Sequence, residues 1–460
     1  MSKTKQKSIE ELLEGVLVPE EEKPYSVPEN WVWVWFKKVV RSISNGKKQI
    51  PQKYYKENGL LPVVDQGQQL ISGYTDNLEL RFSEELPVII FGDHTKCIKW
   101  IDFDFVQGAD GIKILKPLEL IHPKYLYYLL QNVNLPDKGY SRHFKYLKET
   151  PLPIAPLSEQ KRIAEKVERL FAKIDEAKRL IEEVKESFEL RRAAILDKAF
   201  KGQLDTNDPN EKSMLETSSD IKEKDLIPKE EQPYEVPENW VWVKLESISE
   251  YIQRGKSPKY VEKSSVKVVS QKCVQWTGFD ISKARFIDEN TLPSYKEERF
   301  LRKGDLLWNS TGTGTIGRIA KIDNELEGLV VADSHVTVIR PNSSITDSSF
   351  LYRWFSSPFV QDKINGLSSG STNQIELSLS AVKGHPVPFP PLNEQKRIAE
   401  KVDNLLNKLE NEKELVLEVE EKLDLLKQSI LNKAFRGELG TNDPTDEHAI
   451  ELLKEVLKSK

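Results

Sequence analysis

The sequence predicts a mixed α/β chain in which two globular domains alternate with two long coiled-coil helices. Three observations carry this prediction. The stretch from Pro156 to Pro209 returns without a gap as Pro391 to Pro444. A shorter stretch, Leu17 to Val34, returns as Leu226 to Val243 with a different offset. Strand-like alternation occupies the segments between these repeats, which gives the order domain, helix, domain, helix.

Both copies of the long repeat place apolar residues in alternating steps of four and three, which is typical of a coiled-coil seam. In the first copy the seam consists of Ile163, Val167, Leu170, Ile174, Ala177, Ile181, Val184 and Phe188. In the second copy it consists of Ile398, Val402, Leu405, Leu409, Val416, Val419, Leu423, Leu426 and Ile430. Two positions break the rule: Glu412 replaces the equivalent of Ala177, and Arg191 stands where the second copy has Leu426. We expect looser packing there, or a long side chain that reaches outward.

Start and stop signals flank both helices. Ser158 and Asn393 are the predicted N-caps, and a carboxylate follows each in the first turn, at Glu159 and Glu394. The predicted ends are Lys201-Gly202 and Arg436-Gly437. At about 1.5 Å per residue, each helix would be roughly 57 Å long. Pairing of the two copies within the chain, pairing with another chain and packing in a larger bundle would all produce this pattern.

Length and composition restrict the class of protein. The chain has 460 residues, enough for two to four domains. It is 38% hydrophobic and 31% charged, and it has no apolar run near the ~18 residues of a membrane span. The first residues lack a signal-peptide core, and Cys97 and Cys273 are widely separated, so we expect a cytoplasmic protein with two ordinary core thiols. A net charge of −5 argues against a uniformly basic nucleic-acid-binding protein, but it allows local basic patches.

Taken in order, the chain is expected to divide at the repeats. Residues 1–16 would hold an N-terminal helix over 8–16, with a frayed terminus as the alternative, and residues 17–155 the first globular domain. The first long helix would occupy 156–206, a polar linker 207–225, the second domain 226–390 and the second long helix 391–444. Residues 445–460 would form a C-terminal helix. Its sequence AIELLKEVL echoes SIEELLEGVL near the amino terminus, so joining the two ends would recreate a linker between repeats.

Each globular domain opens with the sequence VPENWVWV after a proline-rich entry segment. Its tryptophans, Trp31 and Trp33 in the first copy, alternate as in a half-buried strand, and we expect them to anchor the core rather than to stack on bases. The strands predicted in the first domain are Leu61–Val64, Leu86–Phe91, Cys97–Phe105 and Gly111–Leu115. Those predicted in the second are Val266–Ser270, Asp305–Asn309, Thr315–Ile322 and His335–Ile339. The two interiors share little sequence register.

One glycine pattern resembles a nucleotide-binding fingerprint. Gly312-Thr-Gly314-Thr-Ile-Gly317 matches GxGxxG, but a dinucleotide site needs a helix after it, and Arg318 to Ile322 has the pattern of a strand. We therefore interpret the segment as a polar turn between strands. The side chains that it could offer to phosphates or base edges are those of Asn309, Ser310, Thr311, Thr313 and Thr315.

The sequence gives no support for catalysis by this chain. Glu159-Gln-Lys161 and Glu394-Gln-Lys396 have the Glu-x-Lys spacing of some nucleases, but both lie at helix starts and are interpreted as helix-capping charge. The histidines lack His-Glu-x-x-His spacing, so no metal site is predicted. The Asp/Asn-Pro-Pro-Tyr motif of amino-methyltransferases is missing from the sequence as well.

Clusters of polar and basic residues remain as candidate DNA-binding groups, because Arg, Lys, Asn and Gln read base edges and grip phosphates. Any one cluster is better explained as solvated surface, whereas their occurrence together in two domains on one spacer favours DNA. In the first domain they are Lys47, Lys48, Gln52 and Lys53; Gln66, Gln68 and Gln69; His94, Thr95 and Lys96; and Arg142, His143 and Lys145. In the second they are Arg254, Lys256 and Lys259; Gln271, Lys272 and Gln275; and Ser371, Thr372, Asn373 and Gln374.

At this point the chain resembles the specificity subunits of Type I restriction-modification systems. The resemblance covers nearly all of it, and its most specific parts are PLSEQKRIAEKV and PLNEQKRIAEKV, which open the two helices after a proline-rich strand. KGDLLWNSTGTGTIGRIA, starting at Lys303, also carries it. The resemblance implies that each globular domain is a target-recognition domain, and that the two helices pair antiparallel and set the spacing of a bipartite DNA site. A helix of this length can span half-sites roughly 34 Å apart.

The resemblance also implies a non-catalytic chain with partners. Modification subunits that carry S-adenosylmethionine would methylate adenine, and restriction subunits would use ATP and Mg²⁺; this chain itself would bind double-stranded DNA and no cofactor. Two alternatives stay open at this point. One is a coiled-coil scaffold with two protein-binding heads, and the other is an independent DNA-binding regulator.

Overall fold

The computed structural model describes residues 8–46, 48–108, 111–139, 141–312, 314–369 and 376–458. The chain forms two compact units. Unit 1 contains residues 1–182 and 417–460, and unit 2 contains residues 183–416. The division falls within both long helices, so each unit holds the first part of one helix and the last part of the other.

The elements follow one another in the order that the repeats predict. Up to the first long helix they are α1 (Ile9–Glu14), β1 (Val32–Trp35), α2 (Phe36–Val39), β2 (Val40–Ile43), β3 (Leu61–Val64), β4 (Gly73–Thr75), β5 (Val88–Gly92), β6 (Ile98–Ile101), β7 (Val106–Gln107), β8 (Ile112–Pro117), α3 (Pro123–Gln131), α4 (Phe144–Lys148) and β9 (Pro151–Ile154). The first long helix is α5 (Leu157–Phe200).

After α5 the chain builds the interior of unit 2. Its elements are α6 (Met214–Thr217), β10 (Val241–Lys244), β11 (Ser249–Arg254), β12 (Tyr260–Val261), β13 (Val266–Val269), β14 (Val274–Gln275), β15 (Gly278–Phe279), β16 (Arg285–Ile287), β17 (Leu306–Asn309), β18 (Ile319–Lys321), β19 (Leu329–Ala332), β20 (Val336–Pro341), α7 (Ser348–Phe355), α8 (Pro358–Gln361), α9 (Ile364–Leu367), β21 (Ser368–Ser369), β22 (Glu376–Leu377), α10 (Leu379–Lys383) and β23 (Pro386–Phe389). The second long helix, α11 (Leu392–Phe435), and α12 (Ala449–Lys458) complete the chain.

The two units have the same central sheet although their sequences differ. In unit 1 the strand order is β2-β8-β5-β6, and in unit 2 it is β11-β20-β17-β18, with antiparallel pairing throughout. Each unit also pairs its opening strand with its proline-rich closing strand, β1 with β9 and β10 with β23. The mixed α/β fold is therefore confirmed, and the likeness of the two interiors is one of topology that sequence register does not reveal.

A second sheet completes each unit. In unit 1 it has the order β4-β3-β7, and in unit 2 the order β12-β16-β13-β19. Each second sheet contains a parallel pair, β3 with β7 and β13 with β19. In both units a loop that follows a strand of the second sheet is hydrogen-bonded to a turn of the central sheet, Gln66 to Thr95 in unit 1 and Gln271 to Thr311 in unit 2.

The tryptophans of the repeated opening are buried, as predicted. Trp31 and Trp33 are 4% and 3% exposed, and Trp240 and Trp242 are 4% and 1% exposed. Trp31 belongs to the main core of unit 1 together with Ile163 and Val167 of α5. The globular part of unit 1 and the start of its long helix thus share one core, and the equivalent core of unit 2 contains Ile398 and Val402 of α11.

The long helices differ from prediction at their starts and agree at their ends. They begin at Leu157 and Leu392, one residue before the predicted N-caps, so Ser158 and Asn393 lie inside the first turn. Both end before a glycine in the left-handed region, Gly202 with φ 70° and Gly437 with φ 76°. A β-carbon on these glycines would lie 2.4 Å from a ring carbon of Pro237 or Pro28, respectively, so each glycine also permits close packing on the VPENW segment of its own unit.

The helices pair antiparallel within each unit. In unit 1, Lys178 pairs with Asp424 and Asp175 pairs with Lys427, so residue numbers rise along one helix as they fall along the other. In unit 2 the guanidinium of Arg191 lies 2.6 Å from the carboxylate of Glu412. These are the two residues that interrupt the predicted seams, so the two irregularities compensate each other as an ion pair.

The segment predicted as a polar linker is packed into unit 2. Met214 in α6 is 6% exposed and Ile221 is 5% exposed, and both belong to the main core of that unit. The segment 207–225, predicted as a polar linker, therefore packs against unit 2, which its composition did not indicate. Two isolated apolar anchors hold the segment, and they are too few to give a periodic pattern.

Candidate nucleic-acid interface

A buried polar clasp fixes the globular part of unit 1 to the start of α5. The indole nitrogen of Trp31 donates to the Glu159 carboxylate at 2.7 Å, and the amide of Asn442 donates to the same oxygen at 2.9 Å. Asn442 also donates to the side-chain oxygen of Asn30 at 3.0 Å. Arg162, one turn along the helix, donates to the main-chain oxygen of Thr441 at 3.0 Å. The sequences ENW, EQKR and TNDP therefore converge on one carboxylate.

Unit 2 contains the same clasp built from the other copies of these sequences. Trp240 donates to Glu394 at 2.9 Å, and Asn207 donates to Glu394 at 2.8 Å and to Asn239 at 2.8 Å. Arg397 donates to the main-chain oxygen of Thr206 at 3.0 Å. The TNDP sequence that follows each helix thus completes the clasp at the start of the other helix.

The clasp corrects the interpretation of the Glu-x-Lys sequences as helix-capping charge. Glu159 and Glu394 are 0% exposed. Burial raises the pKa of both carboxyls above the ordinary value, while their hydrogen bonds to tryptophan and asparagine act in the opposite direction. They are buried acceptors that hold the globular part of each unit on its long helix, and they are not solvated.

Three of the four polar clusters predicted in the first domain come together at one edge of unit 1. The loop after β3 carries Gln66, and the turn between β5 and β6 carries His94 and Thr95. The Thr95 hydroxyl donates to the main-chain oxygen of Gln66 at 2.6 Å, and the His94 amide donates to the Gln66 side chain at 3.2 Å. The same turn contacts the start of α4, because the main-chain amide of His143 donates to the main-chain oxygen of Asp93 at 2.7 Å.

Individual residues of these clusters differ in exposure. Gln68, Gln69, Arg142 and Lys145 are exposed, which keeps them available to a ligand. His143 is 0% exposed, and its ring nitrogen Nδ1 lies 3.1 Å from the main-chain oxygen of Asp93. His143 therefore has a structural position, and the prediction that it contacts DNA does not fit its burial.

The fourth cluster lies beside the second sheet of unit 1. Lys48, Gln52 and Lys53 are exposed, and the neighbouring amide of Ile50 donates to the main-chain oxygen of Gln107 at the end of β7. Lys47 lies outside the described residues.

Lys96, in the β5–β6 turn, is close to an acidic side chain. Its ammonium lies 3.6 Å from the Asp137 carboxylate, which partly neutralises the charge of the lysine.

In unit 2 the polar turn after β17 joins the cluster that follows β13. The amide of Gln271 donates to the Thr311 hydroxyl at 3.0 Å, and the Thr315 hydroxyl donates to the main-chain oxygen of Thr311 at 3.1 Å. Gln275 accepts from Arg318 at 3.3 Å. The GxGxxG segment connects the antiparallel strands β17 and β18, as predicted, and no helix follows it directly.

Two residues of this turn are buried and are not accessible to a ligand. Asn309 and Ser310 are 0% exposed; the Asn309 amide donates to the main-chain oxygen of Gln271 at 3.3 Å, and the Ser310 hydroxyl shares a hydrogen bond with Thr337 at 2.5 Å. Both were predicted to offer donors and acceptors to DNA, but they hold the turn internally. Thr313, Ser371, Thr372, Asn373 and Gln374 lie outside the described residues.

The basic cluster after β11 is engaged within unit 2. Arg254 pairs with Glu376 and donates to the main-chain oxygen of Leu377 at 2.6 Å. Lys256 donates to the main-chain oxygen of Ser294 at 2.8 Å, and Lys259 pairs with Asp288 at 2.8 Å. Lys272, beside the β14–β15 hairpin, is exposed, as Lys259 is, but it makes no ion pair with the described residues. Of the basic residues singled out in unit 2, Lys272 is therefore the better candidate for a phosphate contact.

Sequence reasoning missed two residues at these edges. Lys99 in β6 is only 4% exposed, and burial lowers the pKa of its ammonium below the ordinary value. A lysine within the strand IKWI was the available signal. Trp276, in the turn of the β14–β15 hairpin, is 56% exposed, more than any other tryptophan of the chain. Its flanking residues Gln275 and Thr277 are polar, a pattern that the core-anchor interpretation of tryptophans overlooked.

The matches to known proteins agree with this duplicated architecture. The Type I restriction modification DNA specificity domain matches residues 28–186 and 237–421, one match for each copy of the repeated plan and more than half of the chain in total. The chain belongs to this family. Each match begins at the proline of a VPENW sequence and extends into a long helix. It therefore contains the tryptophan and the glutamate of one clasp, whereas the TNDP segments that complete the two clasps lie outside the matched residues.

Two proteins with sequences similar to this chain come from Escherichia coli. The chain is 31% identical over 304 residues to the Type I restriction enzyme EcoBI specificity subunit, a match that covers 64% of this chain and 59% of that protein. It is 27% identical over 348 residues to the EcoDI specificity subunit, covering 71% of this chain and 72% of that protein. The match thus spans less than two thirds of the EcoBI subunit.

Solved structures support the same fold for this family member. The HsdS subunit from Thermoanaerobacter tengcongensis aligns with a TM-score of 0.58 at 19% sequence identity, over 91% of this chain and 100% of that chain. A structure from a study of complex assembly and conformational transition of the type I R-M system aligns with a TM-score of 0.59 at 19% identity, over 90% of this chain and 100% of that chain. At this identity the likeness concerns the fold.

Membrane-crossing helices and metal-binding clusters are both missing from the described residues. No helix among residues 8–46, 48–108, 111–139, 141–312, 314–369 and 376–458 has the length and apolarity needed to cross a membrane. Within the same part of the chain, His, Cys, Asp and Glu side chains form no group of three or more that could hold a metal ion.

Proposed function

We propose that this chain is the DNA-specificity subunit of a Type I restriction-modification complex, and that it recognises a bipartite site. One observation carries the proposal: the same clasp and the same helix are built twice, and each holds a unit with a different polar edge. Gln66, Gln68 and Gln69 lie at the edge of unit 1, and Gln271, Lys272 and Gln275 lie at that of unit 2. Two units that share the same clasp and helix but have different polar residues at their edges fit the recognition of two half-sites of different sequence.

The proposed role is binding without a reaction of its own. Modification subunits would supply S-adenosylmethionine and methylate adenine, and restriction subunits would use ATP and Mg²⁺. The chain would act in the cytoplasm, where it would position these subunits on double-stranded DNA. Membership of the specificity family supports this division of labour.

Exposed apolar side chains on the long helices support docking of partner subunits. In unit 1 they include Leu180 on α5 and Leu417, Leu425 and Leu426 on α11, which are 47%, 47%, 70% and 47% exposed. In unit 2, Leu190 on α5 and Leu415 on α11 are 73% and 59% exposed. Apolar surface of this kind favours burial against a partner, and we propose the modification subunits as that partner.

Co-expression with a modification subunit tests the proposal. Adenine methylation is then mapped across the genome of the expressing cells. We expect one two-part motif with a fixed gap, and no methylation when either chain is expressed alone. An assembled complex that leaves no motif would contradict the proposal and favour a scaffold with two protein-binding heads. Methylation by the purified chain alone would contradict the non-catalytic role.

A further inference from the structure

Lys99 is a buried cation that holds one loop of unit 1. Its side chain is 3% exposed, and its ammonium donates to the main-chain oxygen of Asp65 at 2.8 Å and to that of Gln69 at 2.5 Å. The carboxylate of Asp65 lies 4.0 Å away. All three contacts fall on the loop after β3, so the buried charge is neutralised and hydrogen-bonded by this loop.

Asp65 closes the same loop from its other side. One carboxylate oxygen accepts from the amide of Gly67 at 2.8 Å and from the hydroxyl of Ser72 at 2.5 Å. The loop from Asp65 to Ser72, here called the glutamine loop, is therefore fixed near both ends and through Gln69. Side chains on a loop fixed in this way lose little conformational entropy when they bind a ligand.

The glutamine loop carries three amides with two different tasks. Gln66 accepts from His94 and Thr95, as described above, and so attaches the loop to the β5–β6 turn. Gln68 and Gln69 are exposed, and Lys99 holds the main chain of Gln69 and leaves its side chain outside. A glutamine amide can donate and accept at once, which matches the N6 and N7 edge of adenine in the major groove.

We propose that the glutamine loop is the base-reading element of unit 1, with Gln68 and Gln69 as the reading side chains and Lys99 as the positioning residue beneath them. This assignment rests on the proposed function and deepens it, because it names the loop and the side chains that would read the half-site of unit 1. Lys99 itself does not touch DNA, since its ammonium is buried and bonded to the loop.

The test uses the full complex of this chain with its modification subunit and reads the methylation motif in cells. Three variants are compared: Gln68→Ala/Gln69→Ala, Lys99→Met and Lys116→Met. Methionine keeps the approximate length of lysine and removes its charge and donors. Lys116 is the matched control, because it lies on β8 of the same sheet, with 36% of its side chain exposed, and pairs with Glu85 at the surface.

We expect the double glutamine variant to keep the gap and one half-site while the other half-site becomes degenerate, with roughly tenfold lower discrimination at the affected positions. Lys99→Met should relax the same half-site, and Lys116→Met should leave the whole motif unchanged. A lysine with a merely structural role would lower the amount of assembled complex and would not change the bases of one half-site.

Three results would overturn the assignment. One is an unchanged motif in the double glutamine variant, and another is relaxation of opposite half-sites by the glutamine and lysine variants. The third is a wild-type complex that assembles without producing a motif, which would refute the proposed function itself and is distinguished by the wild-type measurement. If Lys99→Met fails to accumulate, the double glutamine variant still decides, since both of its side chains are on the surface.

Discussion

The indole nitrogen of Trp31 lies 2.7 Å from the carboxylate of Glu159, a contact between the opening of one repeat and the start of another. Trp240 and Glu394 make the same contact in unit 2 at 2.9 Å. Each clasp is therefore built from one copy of the short repeat and from the long repeat. Both repeats occur twice because each of the two clasps needs residues from both.

Replacing Trp31 by phenylalanine tests the energetic weight of this contact. The change keeps a large ring in the core and removes the donor, which leaves the buried Glu159 with one hydrogen bond fewer. We expect the free energy of unfolding to fall by about 1.5–3 kcal/mol, as for a lost hydrogen bond to a charged group. Urea denaturation of the full chain measures it.

Trp33 provides the matched control. It is 3% exposed, and its indole nitrogen has no hydrogen-bond partner in the described part of the chain. Trp33→Phe therefore removes a similar volume and no hydrogen bond. Equal losses in Trp31→Phe and Trp33→Phe would show that packing alone accounts for the stability of the clasp.

The buried ion pair of Arg340 and Asp305 is expected to contribute strongly to the stability of unit 2. Its side chains are 8% and 1% exposed, and the guanidinium donates twice to the carboxylate, at 2.7 and 2.8 Å. Asp305→Ala would leave a buried guanidinium without its partner, so we expect a loss of about 3–5 kcal/mol in the free energy of unfolding.

The more exposed pair of Arg353 and Asp403 is the comparison, with side chains 20% and 41% exposed. Asp403→Ala should cost less than about 1 kcal/mol. Both variants are measured by urea denaturation at neutral pH. A loss in Asp305→Ala no larger than that in Asp403→Ala would contradict the importance assigned to burial.

His385 should make unit 2 sensitive to acid. Burial lowers the pKa of its imidazole to about 3, with a smaller contribution from Lys363, and neither ring nitrogen has a hydrogen-bond partner among the described residues. In the unfolded chain this imidazole is protonated near pH ~6.5, whereas in the folded chain it stays neutral to a much lower pH. The free energy of unfolding is therefore highest above pH ~6.5 and decreases as the pH falls towards 3. By pH 5 the loss should reach about 2 kcal/mol.

His385→Phe measures this contribution by difference. Phenylalanine keeps a ring beside Trp308 and Phe355, whose centroids lie 5.9 and 5.2 Å from the imidazole, and it cannot titrate. Between pH 7 and pH 5 the variant should lose about 2 kcal/mol less than the wild-type chain in urea denaturation. The same loss in both proteins would assign the acid sensitivity to other groups.

Lys272 and Lys259 should differ in their effect on DNA binding. Lys272 is exposed at the edge proposed to contact DNA in unit 2, whereas Lys259, which is also exposed, pairs with Asp288. In the complex, Lys272→Ala should lower affinity for all sequences alike and reduce the slope of log affinity against log salt by about one. Lys259→Ala should change that slope less. Titration of labelled duplexes at several salt concentrations gives both slopes, and the opposite order would remove Lys272 from the interface.

The sequence predicted the parts of this fold that depend on repeated patterns. Trp31 and Trp33 were expected in the core because alternation in a strand reveals burial. The partner of Glu159 could not be predicted in the same way, because the clasp joins residues from three distant segments, and nothing in local spacing connects Trp31 with Asn442. The ion pair of Arg191 and Glu412 is similar: each residue was visible as an irregularity, and only the antiparallel register brings the two together.

The candidate interface was predictable as a set of residue types and not as a surface. Gln66 and Thr95 belong to separate clusters in the sequence and touch in the fold. Ser310 has the chemistry of a DNA contact, but it lies in the interior directly after β17, where its hydroxyl is hydrogen-bonded to Thr337 of β20. Composition identifies which side chains can bind, whereas strand order decides which of them face outward.

The packing of the two chain ends has a practical consequence for dissecting the molecule. The amide of Ala449 donates to the main-chain oxygen of Asn30, and α12 packs on α1, so unit 1 is assembled from both ends of the polypeptide. A chain truncated after Thr206 would retain Trp31 and Glu159 but would lose Asn442, so its first clasp would lack one of its donors. Fragment boundaries for crystallisation or limited proteolysis are therefore better chosen in pairs within the two long helices than at the apparent linker.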